Sequence, residues 1–198
     1  DGMEDLRILL ATTGEKFGST NNEVISLTND LIHFTSLTIR PLKSNGQSVK
    51  IGFSSPAYID ASKDVMATMD GRKAGDPFAV HISPISSNID ISEIIDFSTS
   101  LQYDENCING NVVDFILPSS YLKQPEKLVD ILKTACKKGL FELQLNVLDK
   151  RVLLDAKAHP EKYPNLVVRV WGFSAYFNDL PEEFKDNLIR RAEVYEAA

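Results

Sequence analysis

The side chains best suited to catalysis are few in this chain and are not grouped. Three histidines, His33, His81 and His159, lie far apart. His33 falls inside a helical pattern and His159 stands before Pro160 near a helix end, so both read as structural. His81, in FAVHISP, is the one beside an irregular, glycine-containing loop. No GxSxG elbow, Walker A loop, HExxH or GxGxxG occurs, so hydrolase, nucleotide-binding and dinucleotide chemistries lack their usual carriers. The two cysteines form no CxxC or Cys/His cluster with metal-ligand spacing, so no zinc or iron–sulfur site and no bound cofactor is expected. Cys136, at an apolar position of the helical stretch LVDILKTACKKG, reads as a small buried hydrophobe, and Cys107, in DENCING, as an incidental turn residue with room to be exposed. One local feature stands apart. The β-prone run LVVRV leads into Trp171-Gly172-Phe173 and then Ser174-Ala175-Tyr176-Phe177. On spacing alone, a lone glycine between bulky aromatics at a strand end is a conformational residue, needed for positive φ or a close backbone approach.

The elements that would position these residues follow from periodicity. Apolar spacing of three and four predicts helices over Met3 to about Lys16, then along Val24, Leu27, Leu31 and Phe34 behind the capping residues Ser19 to Asn22, ending at Pro41. KSNGQ reads as a turn, Lys50 to Ser54 as a short strand, and the chain to about Pro84 as a long turn-rich segment. Helix returns at Ile91, Ile94, Ile95 and Ser98. After an Asn109-Gly110 turn, Asn111 to Leu117 reads as a strand, and Pro125 to Gly139 as a helix with acid at its start and base at its end. Phe141 to Val147 alternates like a half-buried strand; Asp149 is placed to cap a helix to about Ala158. Asn165 to Val170 is a further strand, and Pro181 opens a final helix. Strands alternating with helices define an α/β architecture.

Composition narrows the function. At 198 residues, with 43% hydrophobic and 25% charged residues, the chain has the makeup of a soluble globular domain. Its net charge of -7 argues against nucleic-acid or anionic-membrane partners, and no apolar run is long enough for a membrane span. Few cysteines and no signal-peptide pattern point to the cytoplasm. The chain starts at Asp1 instead of Met, which leaves a trimmed tag, a processing cut and a fragment all open.

The stretch RVWGFSAYF resembles the signature RVxG[FY] found near the C-terminus of glycyl radical enzymes. Three other stretches are similar to that family in order and spacing. They are Thr68 to Gly75 (TMDGRKAG, with Met69 where the family has proline), followed by Ser83-Pro84; Gln144 to Asp149 (QLNVLD); and His159 to Pro164 (HPEKYP). The resemblance covers about residues 68 to 198 and implies a division into a helical part, 1–60, and a glycyl radical domain, 61–198. It implies part of a ten-stranded α/β barrel, with a glycine-centred radical at Gly172, a modified residue in place of a bound cofactor. Arg169, Phe173 and Ser174 would hold the loop, and Gly71 and Gly75 would allow tight turns in a supporting segment.

In this family a radical-SAM activating enzyme removes the glycine Cα hydrogen, and the radical passes to a cysteine on a separate loop, whose thiyl attacks substrate. That cysteine lies upstream of the TMDGR-like segment, whereas Cys107 and Cys136 lie downstream of it. The resemblance therefore implies an N-terminal partner segment carrying the thiyl cysteine, and a fragment or a split subunit is preferred over a stand-alone repair protein. RVWGFSAYFNDLP and FAVHISPISS are most similar to the arylacetate decarboxylases, in particular the 4-hydroxyphenylacetate type, some of which carry a small iron–sulfur subunit. The alternatives are a dehydratase or formate acetyltransferase type of glycyl radical lyase, or a non-catalytic scaffold domain.

Overall fold

The computed structural model describes residues 2–54, 57–84, 89–109, 112–170 and 172–197. Trp171, Gly110 of the expected Asn109-Gly110 turn, Asn111 and residues 85–88, which include the last three of the FAVHISPISS stretch, lie outside these.

Helices α1 (Gly2–Thr12) and α2 (Asn22–Ile39) come first. α1 stops four residues short of the expected Lys16. Thr12 and Thr13 turn their hydroxyls back onto the carbonyls of Ile8 and Leu9, and Gly14 follows with φ +73°. Asn21 caps α2, its side chain accepting from the Glu23 N–H at 2.8 Å. Strands β1 (Lys43–Ser44) and β2 (Gln47–Ser48) form a small hairpin about Asn45 and Gly46, both at positive φ. β3 (Ile51–Gly52) pairs in parallel with β4 (Cys107–Asn109), and α3 (Ile91–Ser100) lies between them in sequence.

The second half follows the expected alternation closely. β5 (Val112–Leu117) and β6 (Glu142–Val147) run parallel over six in-register pairs, joined by α4 (Pro125–Lys138). α4 ends in a Schellman-type cap: Gly139 takes φ +80°, and the Leu140 N–H reaches the Ala135 carbonyl at 2.9 Å. β6 leads to α5 (Lys150–Ala158), then to the hairpin β7 (Val167–Val170) and β8 (Phe173–Tyr176), and to α6 (Glu182–Ala197). Strands among the described residues form four two-stranded sheets.

β5 is buried at every position, and its one charged residue, Asp114, is met by Arg191 of α6. Arg191 donates through Nη1 to Asp114 Oδ2 at 2.9 Å and through Nη2 to the Asp114 carbonyl at 2.6 Å. Burial works against the arginine's charge, but the adjacent carboxylate outweighs it, and the Arg191 pKa rises. Tyr195, one turn on, packs edge-on against Phe115 at 5.7 Å. These contacts fasten α6 to the sheet.

Three local readings need correction. Cys107 is no exposed turn residue: it is fully buried on β4, where burial and the Asp104 carboxylate raise its pKa. Cys136 is exposed, because α4 packs through its other face, where Ala135 is buried. Asp149 occupies the N-terminal position of α5 but caps nothing with its side chain. Its carboxylate accepts from the Ser119 N–H and hydroxyl at 2.7 and 2.6 Å, bonds that lower its pKa.

Candidate functional site

The Val170–Phe173 pair closes the β7–β8 hairpin and leaves Gly172 at its tip. Gly172 has φ +84°, is solvent-exposed, and has nothing within 4 Å of where a Cβ would stand. The conformation, not crowding, therefore demands glycine here. β7 begins at Val167, two residues later than the expected Asn165, and Phe173–Tyr176 (FSAY) forms the return strand.

Two hydrogen bonds hold the glycine's own peptide groups. Its N–H donates to Gln144 Oε1 at 2.8 Å, and its carbonyl accepts from Arg169 Nη2 at 3.0 Å. The Arg169 guanidinium also donates through Nη1 to the Ser174 hydroxyl at 3.4 Å, so Arg169 and Ser174, facing each other in the ladder, brace the tip from one side. Phe173 and Tyr176 are each about half exposed. Arg169, Ser174 and Gly172 are thus brought together, and Phe173 follows the glycine as the first residue of β8.

The residues that tie the hairpin to the sheet escaped attention as site residues. β6 places Gln144 and Asn146 on one face, two positions apart. Asn146 clamps the backbone of Arg169 from both ends: its Nδ2 donates to the Arg169 carbonyl at 3.1 Å, and its Oδ1 accepts the Arg169 N–H at 2.8 Å. Both amides are buried. The QxN spacing in QLNVLD was the available signal, because polar amides at alternating strand positions facing inward need partners.

The other motifs are supports. In TMDGRKAG, Gly71 has φ +91°, and a Cβ there would lie 2.6 Å from Ala11 of α1. Arg72 is buried, donates to the Asp76 carbonyl at 2.7 Å and to the Met66 carbonyl, and lies over the Phe78 ring at 4.8 Å. Met69 is exposed, at the surface of that turn. In HPEKYP, the carbonyls of Pro160 and Tyr163 accept from Asn178 Nδ2 at 2.9 and 3.1 Å, tying the approach to β7 to the exit from β8.

Of the histidines, His33 and His159 are exposed. His81 is half-buried at φ +55°, its Nδ1 lacks a partner, and burial lowers its pKa, with Asp114 and Glu142 pulling the other way. No group of three or more His, Cys, Asp or Glu suited to a metal occurs among the described residues. No described helix is long and apolar enough to cross a membrane.

A parallel strand pair fastened to a terminal helix, with a glycine-tipped hairpin pinned to its polar edge, defines the class. Residues 79–178, half of the chain, match the family described as glycine radical, and the chain belongs to that family. It is 34% identical over 143 residues to the probable dehydratase YbiW of Escherichia coli K12, covering 69% of this chain and 18% of that protein. It is 26% identical over 215 residues to isethionate sulfite-lyase of Desulfovibrio desulfuricans, covering 98% of this chain and 24% of the relative. A Roseburia inulinivorans structure described for 1,2-propanediol dehydration superposes with a TM-score of 0.84 at 27% identity, over 95% of this chain and 24% of that one. The chain therefore spans a quarter or less of the length of these relatives.

Proposed function

We propose that Gly172 stores a glycine-centred radical for a larger glycyl radical lyase, within a domain of residues 61–198. The observation that carries this reading is a hairpin-tip glycine at φ +84° whose N–H and carbonyl are each held by a named side chain. A Cα radical is stabilised when the amide nitrogen donates electron density and the carbonyl withdraws it, which requires both peptide planes to align with a planar centre. At φ +84° the nitrogen's π orbital is nearly perpendicular to that alignment. The N–Cα bond must therefore rotate toward an extended conformation as the hydrogen leaves. Glycine makes that rotation without a Cβ penalty, and open space surrounds the site. The Gln144 bond lies on the near side of the rotating bond and survives; the long Arg169 side chain can follow the carbonyl.

In this reading the Gly172 Cα–H bond breaks homolytically, the hydrogen atom leaving to a radical-SAM activating enzyme. Gly172 then takes a hydrogen atom from the thiol of a cysteine outside this chain, which leaves the radical on that sulfur for the reaction with substrate. Arg169, Phe173 and Ser174 hold the tip and touch no substrate. The β5–β6 pair would contribute to a larger barrel formed with the thiyl-bearing partner segment. Localisation in the cytoplasm accords with an oxygen-sensitive radical.

For the reaction, arylacetate decarboxylation is the subclass that RVWGFSAYF and FAVHISP support, with a small iron–sulfur subunit as a further partner. Dehydration is the second reading, favoured by the reactions named for YbiW and the Roseburia protein. Activated enzyme offered 4-hydroxyphenylacetate should release carbon dioxide. Water loss from glycerol or propane-1,2-diol, with no decarboxylation, would replace that subclass with a dehydratase. Exposing the activated enzyme to air should cut the backbone between the nitrogen and Cα of Gly172, seen by mass spectrometry as loss of the C-terminal peptide, which keeps the oxidised Gly172 carbons as a cap on Phe173. An uncut chain after verified activation would refute the radical assignment.

A further inference from the structure

Gln144 and Asp114 are opposite partners in the β5–β6 register, so their side chains leave the same face of the pair. Each has one polar atom buried and without a partner: Gln144 Nε2, a donor, and Asp114 Oδ1, an acceptor. The remaining atom of each is engaged. Gln144 Oε1 accepts the Gly172 N–H, and Asp114 Oδ2 accepts from Arg191. Both residues are buried, Gln144 to 7% and Asp114 to 2% exposure, so neither free atom has bulk water as a partner. Neither atom bonds the other in this arrangement, and leaving a buried donor and a buried acceptor on neighbouring strands both unpaired carries a desolvation cost that a bond between them would remove.

We propose that Gln144 is the positioning residue of the radical glycine, and that Asp114, anchored by Arg191, orients it. A turn of the two side chains from the positions described lets Gln144 Nε2 donate to Asp114 Oδ1, which fixes which end of the amide faces the hairpin. Only that orientation presents Oε1 to the Gly172 N–H; the flipped amide would set two donors against each other. The Gly172 nitrogen stays in place while φ changes, and its N–H, bonded to an oxygen, is made a better electron donor to the Cα centre. α6 is thereby coupled to the hairpin through Arg191, Asp114 and Gln144. This inference rests on Gly172 as the radical site. The charged and titratable groups linked to this pair are Arg191 of α6, bonded to Asp114, His81, which interacts with Asp114, Glu142 and Arg191, and Arg169 of β7 at the Gly172 carbonyl.

The test uses the enzyme that carries this chain, before activation, and reads deuterium uptake at the Gly172 amide as a protection factor. Gln144→Met fills the same space without polar atoms and should lower protection about tenfold, the value of one net hydrogen bond. Gln144→Glu separates the two halves of the proposal. Beside Asp114 the introduced carboxyl should hold its proton well above the usual carboxylate range. While protonated it accepts from Gly172 and donates to Asp114 as the amide does. Protection should therefore match the wild type at acidic pH and fall as the carboxyl ionises, whereas Gln144→Met should show no such dependence. Unchanged protection in Gln144→Met, or protection in Gln144→Glu that does not track pH, overturns the proposal. In activated enzyme, Gln144→Met should also alter the amide-nitrogen hyperfine coupling of the glycine-centred EPR signal. If the wild type gives no such signal, the functional reading fails, while exchange still judges the clamp.

Discussion

At the residue scale, Gly172 has a conformational requirement in the structure, and the proposed radical adds a separable electronic one. Gly172→Ala keeps open space around the new methyl group but places it at φ +84°. It should cost about 1 kcal/mol of stability, read by thermal or denaturant unfolding, and abolish the radical completely. A loss of several kcal/mol would mean that the tip is packed in a way these contacts do not show. His81 gives a pH signature. Its folded pKa lies below the usual 6.5, chiefly through burial, so the folded state binds fewer protons than the unfolded chain in that window. Its contribution is full above 6.5 and is lost as pH falls through that value toward the depressed folded pKa. Stability should decline as pH falls below about 6.5, and His81→Gln should flatten that part of the curve. At this scale the sequence placed Gly172, Arg169 and Ser174 together, because a short motif names neighbours along one hairpin. It was not legible for Gln144 and Asn146, whose roles depend on which strand β6 faces. The cysteines were misread for the same reason: helical periodicity placed Cys136 on the apolar side without saying which side packs.

At the element scale, β7 is joined to β6 through Asn146, whose amide makes both hydrogen bonds to the Arg169 backbone. Asn146→Ala should destabilise the fold by about 2 kcal/mol, two net hydrogen bonds, and increase exchange along Val167–Val170 more than along Val112–Leu117. Equal increases in both strands would show that Asn146 supports the whole sheet and not the hairpin. Arg191 tests the link to α6. Arg191→Met leaves the buried Asp114 carboxylate without its cation and should cost about 3–5 kcal/mol, read from unfolding midpoints. The regular elements of the second half were legible because their periodicities are clean and their ends carry capping chemistry, as at Pro125 and Gly139. The first half was less so: β1 and β2 are two residues each, too short to leave a period. The Asp114–Arg191 pair joins residues 77 apart in sequence, a contact no local pattern encodes.

At the scale of the whole molecule, the chain exposes 11413 Å². A self-contained protein of 22.1 kDa would expose about 9,300 Å². The excess, about 2,000 Å² on this one chain, is more than the ~800 Å² that each partner gives to a standard interface and is of the size seen in permanent complexes. Part of it is apolar: Leu27, Leu31 and Phe34 make a stripe along α2, each more than half exposed. Relatives four to five times its length accord with the proposed partner segment covering part of this surface. Leu27→Glu with Phe34→Glu should leave the chain's own unfolding within about 0.5 kcal/mol, since neither side chain is buried, and should weaken assembly with the remainder of the enzyme in co-purification. Intact assembly would assign the stripe to another role. The central claim is tested most directly by EPR of the anaerobically activated enzyme grown with α-deuterated glycine and with ordinary glycine. The account predicts a doublet with ordinary glycine, its splitting collapsed by the deuterium, and no signal in Gly172→Ala. A signal that persists in Gly172→Ala, or none from the wild type under conditions that activate a full-length relative, would contradict it.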